Sequence, residues 1–244
     1  MGRTCCFPRR GEQSQLSHIP SVPLPLPCVG VSRNVKSGRD IGSKNGNDVV
    51  SRLLVIRHGQ SLWNIEARWQ GQANIDLSEE GIEQASAAAE KLGTFDMIVA
   101  SHLTRALHTA TIISESLGIG PVQIDERLQE SNIGPWEGLT RQQIESRWPG
   151  YLAARRKPEG FESDESIVKR FSEAITEIAS RCQNGTALVI SHSGVIRTLR
   201  HTLGVRNPRL PNLGGCWFHV LGDGRVVAGD IVTLLADLPG GDTL

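Results

Sequence analysis

The chain has 244 residues and carries 26 Lys and Arg against 26 Asp and Glu, a formal net charge of zero. Hydrophobic residues make up 39% and charged residues 21%, enough apolar content for a core over most of the length. The balance excludes a strongly basic nucleic-acid binder, and no apolar run reaches the roughly 18 residues that would cross a membrane. Five cysteines, at 5, 6, 28, 182 and 216, form neither a CxxC metal or redox pattern nor a dense disulfide framework. A reducing, cytoplasmic setting is the expectation.

Neutrality hides an asymmetry. Residues 1–50 hold seven Lys and Arg and three acids, which leaves 19 basic and 23 acidic residues in 51–244. The first fifty residues are rich in Pro, Ser and Gly and keep neither a helical nor a strand period. They read as a disordered leader, because they cannot bury enough apolar surface to offset chain entropy. The segment 19–31, IPSVPLPLPCVGV, is too broken by proline for a secretory signal. An Arg- and Ser-rich, acid-poor composition is compatible with organelle targeting, but the amphipathic helix of a transit peptide is missing. Translation from near Val49-Val50 is the plainer alternative. One domain is expected over 51–244.

From Ser51 the texture changes. Leu53-Leu54-Val55-Ile56 is a continuous apolar run, as expected of a strand buried on both faces. Ser78 is an N-cap for a helix with Glu79 and Glu80 in its first turn, carried by Ile82, Ala85, Ala89 and Leu92 and stopped at Gly93. Met97–Ala100 is a second strand. Leu103, Ala106, Leu107, Ala110, Ile113 and Leu117 stripe a long helix closed by Gly118. A short strand follows at Val122–Ile124. The loop-rich stretch 125–163 holds a short helix near 140–147. Ile167, Phe171, Ala174, Ile175 and Ile178 mark another helix, Ala187–Ile190 a strand, and Val195–Leu203 a helix. Strands at 216–221 and 226–234 flank the hairpin signal Gly222-Asp223-Gly224. Alternating strands and helices of this length argue for an α/β domain with a mainly parallel sheet.

In such sheets ligands bind beyond the carboxyl ends of the strands. Three of these ends carry polar residues: Arg57-His58-Gly59-Gln60-Ser61, Ser101-His102-Leu103-Thr104-Arg105 and Ser191-His192-Ser193-Gly194. Two histidines and two arginines converge there. Helices begin just afterwards, so backbone N–H groups point at the same spot. Such a place suits an anion, and arginine forks suit phosphate oxygens.

The blocks LLVIRHGQSLWN (53–64), WQGQANIDLSEEG (69–81), SHLTRALHTA (101–110), LQESNIGPWEGLT (128–140) and VISHSGVIR (189–197) together resemble the histidine phosphatase superfamily, also called the phosphoglycerate-mutase-like family. The resemblance implies a three-layer α/β/α sandwich with a mainly parallel central sheet. It also implies catalysis through a phosphohistidine, with no metal or other cofactor. A small phosphomonoester is the implied partner, with no nucleic acid and no membrane, and a homodimer stays open.

The resemblance distributes roles. His58 is the expected nucleophile, which splits one hard displacement into two. Arg57 and Arg105 hold the phosphoryl oxygens, where transition-state charge sits. His192 is the second histidine, donating to the phosphoryl group. Asn64 is a further phosphate donor, and Gln70-Gly71 a loop contact to substrate. Glu130 is the expected general acid and base, protonating the leaving oxygen and later deprotonating water; Glu126 and Glu137 are its rivals. Ser193 departs from the glycine common after the second histidine, and adds a donor or narrows the pocket.

The segment ESNIGPWEGLT (130–140) and the short insert 141–163 resemble the phosphatase branch. Mutases of the family carry longer insertions with extra arginines after the acid. A metal-independent phosphomonoesterase is therefore expected. The alternatives are a cofactor-dependent phosphoglycerate mutase and a non-catalytic phosphate-binding or interaction protein. Arg155-Arg156-Lys157 reads as a solvated face in preference to a basic lid selecting a second anionic group. Trp63, Trp69, Trp136 and Trp148 read as core. His102, His201, His219 and His18 read as structural or solvated.

Overall fold

The computed structural model describes residues 49–182 and 184–235. Among them, β1 (Val49–Arg57), β2 (Met97–Ala100), β3 (Gln123–Ile124), β4 (Thr186–Ser191), β5 (Gly214–Leu221) and β6 (Val226–Thr233) form one sheet of order β3-β2-β4-β1-β5-β6. The pairings β2·β3, β2·β4 and β1·β4 are parallel, and β1·β5 and β5·β6 antiparallel. The helices are α1 (Leu62–Ile65), α2 (Glu79–Ala89), α3 (Thr104–Leu117), α4 (Arg141–Arg147), α5 (Asp164–Cys182) and α6 (Ser193–Thr202).

The apolar strand runs are explained by what each face meets. Leu53 and Val55 of β1 pack with Phe171, Ile175 and Ile178 of α5 and with Val195 and Leu199 of α6. Leu54 and Ile56, one residue out of phase, pack with Ala88 of α2 and Ala106, Ala110 and Ile113 of α3. Alternate side chains thus enter opposite layers, and both must be apolar. The three-layer α/β/α sandwich expected from the sequence is the architecture observed.

The elements differ from expectation mainly at their ends. Ser78 caps α2 by accepting from the Gly81 N–H at 3.1 Å. The helix ends at Ala89 and not near Gly93, because the N–H groups of Lys91 and Leu92 turn back to the carbonyls of Ala88 and Ala89 in a tightened last turn. Gly118 closes α3 in the left-handed conformation. Val49 and Val50, placed in the leader by composition, open β1. The rest of the expected leader, with Cys5, Cys6, Cys28 and His18, lies outside the described residues. Cys182 and Cys216 are free thiols. Among the described residues no helix is long and apolar enough to cross a membrane.

Candidate active site

β1, β2 and β4 run parallel, so their carboxyl ends share one edge. Arg57 lies in register with Ser191, and Ala100 with Ile190. The ladder continues one step past the strands: His58 N–H donates to Ser191 O at 3.1 Å and Ser101 N–H to Ile190 O at 3.0 Å. This brings His58 and His192 together, with ring centroids 5.2 Å apart.

His58 is buried, and Nδ1 lies 2.6 Å from the carbonyl oxygen of Gly59. A carbonyl only accepts, so Nδ1 carries the proton and Nε2 keeps its lone pair. Nε2 accepts from Arg105 Nε at 3.2 Å. Burial, followed by the positive charges of Arg105 and Arg57, holds the His58 pKa well below the usual 6.5. The ring is neutral at neutral pH and its lone pair is available.

Arg105 sits in the first turn of α3, where a cation opposes the helix dipole. The loop between α1 and α2 holds it: its two terminal nitrogens donate to Ala73 O at 2.7 Å and Gly71 O at 2.8 Å. Arg57 donates to Leu210 O at 3.1 Å. Burial pushes both guanidinium groups down to about 10, against the opposing pull of Glu130, so both stay charged at neutral pH. Gly71 has a φ of +52°, and a Cβ there would stand 2.7 Å from both Glu137 Oε2 and Ile133 Cγ1. Its place in the site is therefore a backbone one, offering a carbonyl to Arg105.

Glu130 is half-buried on the segment after β3. The Ser131 N–H donates to its Oε1 at 2.8 Å and the Gly194 N–H, on α6, to its Oε2 at 3.0 Å. Arg170 of α5 anchors the segment. One terminal nitrogen donates to Arg127 O and Gln129 O, at 2.6 and 2.8 Å, and the other to Glu130 O at 3.2 Å. Arg170 is itself paired with Glu162 at 2.8 Å. The rivals Glu126 and Glu137 are exposed and do not line the cavity; Glu137 accepts from Gln72 N–H at 2.9 Å.

The cavity at this edge has a volume of about 710 Å³, and Arg57, His58, Asn64, Gln70, Gly71, Arg105, Glu130 and Ser193 all line it. Asn64 also caps α1: its Oδ1 accepts from Ser61 N–H at 3.0 Å while its own N–H donates to Ser61 Oγ at 3.2 Å. Ser61 Oγ–H in turn donates to Gln70 Oε1 at 2.9 Å. His192 lies behind His58, fully buried, with Nε2 3.0 Å from Ser101 Oγ and Nδ1 buried without a partner. Burial and the charge of Arg105 hold its pKa well below 6.5 as well. Among the described residues no group of three His, Cys, Asp or Glu is placed to hold a metal ion.

Residues 53–217 match the model of the histidine phosphatase superfamily, branch 1. The chain belongs to that superfamily. A glucosyl-3-phosphoglycerate phosphatase of Mycolicibacterium vanbaalenii is 35% identical over 195 residues, covering 72% of this chain and 86% of the relative. A metal-independent phosphoserine phosphatase of Arabidopsis thaliana is 32% identical over 160 residues, covering 62% of this chain and 67% of the relative. Among solved structures, a mycobacterial glucosyl-3-phosphoglycerate phosphatase in complex with VO3 superposes with a TM-score of 0.64 at 31% identity, covering 72% of this chain and 96% of that one. This histidine phosphatase is a phosphomonoesterase of small phosphorylated metabolites.

Three readings of the sequence are refined by the cavity. The basic run in the insert is exposed, as a solvated face is, and two of its members, Arg155 and Lys157, also border the cavity of this histidine phosphatase; Arg156 is stacked over Tyr151 at 4.4 Å. His201, read as structural or solvated, is exposed and borders the same cavity. Trp136 is core, as expected, but Trp69 both packs edge-on against it and lines the cavity. Ser101, Arg170 and Gly194 were not singled out. They act through a histidine ring, three carbonyls and one N–H, none of which leaves a motif.

Proposed function

We propose that this histidine phosphatase hydrolyses its phosphomonoester in the cytoplasm through a covalent phosphoryl group on His58 Nε2. The lone pair of Nε2 attacks phosphorus, and the ester P–O bond breaks. Glu130 gives a proton to the departing alcohol oxygen. Water then loses a proton to Glu130 and attacks the phosphohistidine; the P–N bond breaks, its electrons return to Nε2, and inorganic phosphate leaves.

The observation that carries this reading is the 2.6 Å contact between His58 Nδ1 and Gly59 O. It assigns the proton to Nδ1 and so the lone pair to Nε2, beside Arg105. The same carbonyl stabilises the positive ring of the intermediate. On substrate binding, the Arg105 N–H that rests on Nε2 transfers to a phosphoryl oxygen, which frees the nucleophile. Arg57 and the Asn64 amide nitrogen are further donors to those oxygens, with the Gln70-Gly71 loop and Ser193 bounding them. Ser101 Oγ accepts from Leu103 N–H at 3.3 Å and has its own proton to give to His192 Nε2. That leaves His192 Nδ1–H as the buried donor whose missing partner is a phosphoryl oxygen.

The test is turnover by the full chain with chelator present, over sugar phosphates, phosphoglycerate and phosphoserine, with the phosphoenzyme trapped in base. Phosphate release with a base-stable, acid-labile phosphoryl group is expected. Phosphoglycerate isomerised without net release would replace the phosphatase reading by the mutase one.

A further inference from the structure

The turn before β5 closes on the carboxyl end of β1. Leu210 O accepts from Arg57 Nη1 at 3.1 Å, and the Leu213 N–H donates to Arg57 O at 3.1 Å. Between them, Asn212 Nδ2 donates to His58 O at 3.0 Å and stands 3.5 Å from Asn64 Oδ1. The turn itself is well held. The Gly214 N–H donates to Pro211 O at 3.0 Å. Leu213 has a φ of +55°, a left-handed conformation that a leucine keeps only where its surroundings impose it. Its side chain is fully buried in the same apolar cluster as Leu54, Ile56 and Ala88. Asn212 does not line the cavity, so it reaches a bound phosphoryl group only through another residue.

The amide orientations follow from their partners. His58 O only accepts, so Asn212 turns its NH2 toward it. Asn64 Oδ1 accepts from the Ser61 N–H at 3.0 Å, with the Asn212 NH2 as a second, longer donor. Turning the Asn64 amide over would set its NH2 against both donors. Its Nδ2 has no acceptor among the described residues, and Asn64 lines the cavity. The orientation decides the chemistry: an amide oxygen turned to a phosphoryl oxygen repels it, whereas an amide nitrogen binds it. One nitrogen of Asn212 thus refers the main chain of the nucleophile and the side chain of a phosphate donor to the same fixed turn.

We propose that Asn212 is a positioning residue of the phosphoryl site. It keeps the Asn64 amide with its NH2 toward the cavity, and so acts on the phosphoryl group through Asn64. The proposal rests on the reading of Asn64 as a phosphoryl donor.

The experiment is a double-mutant cycle on the full chain with Asn64→Ala, Asn212→Ala and the two combined. The readouts are kcat/KM for para-nitrophenyl phosphate and calorimetric affinity for inorganic phosphate. Asn64→Ala should lower both by roughly 10- to 100-fold, the scale of one hydrogen bond to a charged group. Asn212→Ala should lower both by roughly 5- to 20-fold in the wild-type background and by less than about twofold in Asn64→Ala. A merely structural asparagine would cost the same in either background. Falls that multiply in the double variant therefore overturn the proposal and leave Asn64 as a donor. An Asn212→Ala protein within about twofold of wild type in both readouts also overturns it. Loss of function in Asn212→Ala with none in Asn64→Ala would remove the donor role of Asn64, and the proposal with it. Side-chain amide NMR of the wild-type protein needs no folded variant. The Asn212 NH2 should exchange with solvent at least about tenfold more slowly than an exposed asparagine, and the Asn64 NH2 should shift on adding inorganic phosphate. Fast exchange at Asn212, or an Asn64 NH2 that phosphate leaves unmoved, overturns the proposal.

Discussion

The backbone N–H of Gly194 donates to Glu130 Oε2 at 3.0 Å, and a Cβ on Gly194 would overlap Glu130 Oε1 and lie 2.9 Å from its Cδ. The glycine is thus the space in which the carboxylate sits. Alanine suits the first turn of a helix better than glycine by up to about 1 kcal/mol. The end of the Glu130 side chain can move aside, so Gly194→Ala should keep or raise the thermal midpoint. Turnover should fall by about 100-fold, the scale of a displaced general acid. Unchanged kcat in that variant would remove Glu130 from the proton-transfer role.

His58→Ala should abolish turnover. The site loses a buried ring beside His192, not an element of the core, so the far-UV circular dichroism should match that of wild type. No base-stable phosphoryl group should accumulate on mixing with substrate. Hydrolysis retained by the folded variant would place the nucleophile elsewhere.

Arg170 should matter for both stability and rate. Its guanidinium satisfies the carbonyls of Arg127, Gln129 and Glu130 and pairs with Glu162, with both partners about 15% exposed or less. Replacing it with Met takes a donor from all three carbonyls and the cation from Glu162, leaving Glu130 O with Gln72 Nε2 and Glu162 with the Asn132 N–H and the Ser166 hydroxyl. Urea unfolding of Arg170→Met should show a loss of about 3–5 kcal/mol, the scale of breaking a buried pair from one side. The folded fraction should also turn over more slowly, because the segment carrying Glu130 is no longer held. Arg170→Lys should recover little, since a single ammonium cannot span three carbonyls. Wild-type stability in Arg170→Met would show that the hydrogen bonds along 127–130 suffice alone.

How much was legible follows from where each signal lives. The runs Leu53–Ile56 and Met97–Ala100 are apolar throughout because each strand serves two layers, and this is written in the sequence. Arg57, His58, Arg105 and His192 follow from strand ends that parallel pairing must bring to one edge. The helix α1 was not legible: four residues have no period, and it is held by reciprocal bonds between Ser61 and Asn64. Gly194 and Arg170 were hidden for a different reason. Their partners lie 64 and 40 residues away, and the bonds are to a carboxylate and to backbone. The run Arg155–Lys157 reads as a solvated charge cluster and is exposed; that Arg155 and Lys157 also border the cavity depends on tertiary placement that no local pattern records.

Acid should destabilise the protein well above the range where its carboxylates titrate. His58 and His192 are both held well below 6.5, first by burial and then by Arg105 and its neighbours. In the unfolded chain both take up protons near pH 6.5, while in the folded chain they do not. The unfolded state therefore binds more protons, and stability rises with pH through this range. It is fully present above the unfolded pKa and is lost as pH falls below it, by up to about 2.7 kcal/mol per pH unit for two sites. Asp125 and Glu162, whose pKa values are lowered by Arg127 and Arg170 against the opposing effect of burial, contribute only near and below their unfolded values of 3.8 and 4.5. The window between about pH 6 and about pH 5 thus belongs to the histidines. Urea unfolding across it should show this slope, and His58→Gln should reduce it by about half. Saturating inorganic phosphate should flatten it, because an anion between Arg57 and Arg105 favours the charged imidazolium. A flat profile in wild type without phosphate would mean that the folded site already accepts protons, and the neutral Nε2 nucleophile would be lost with it.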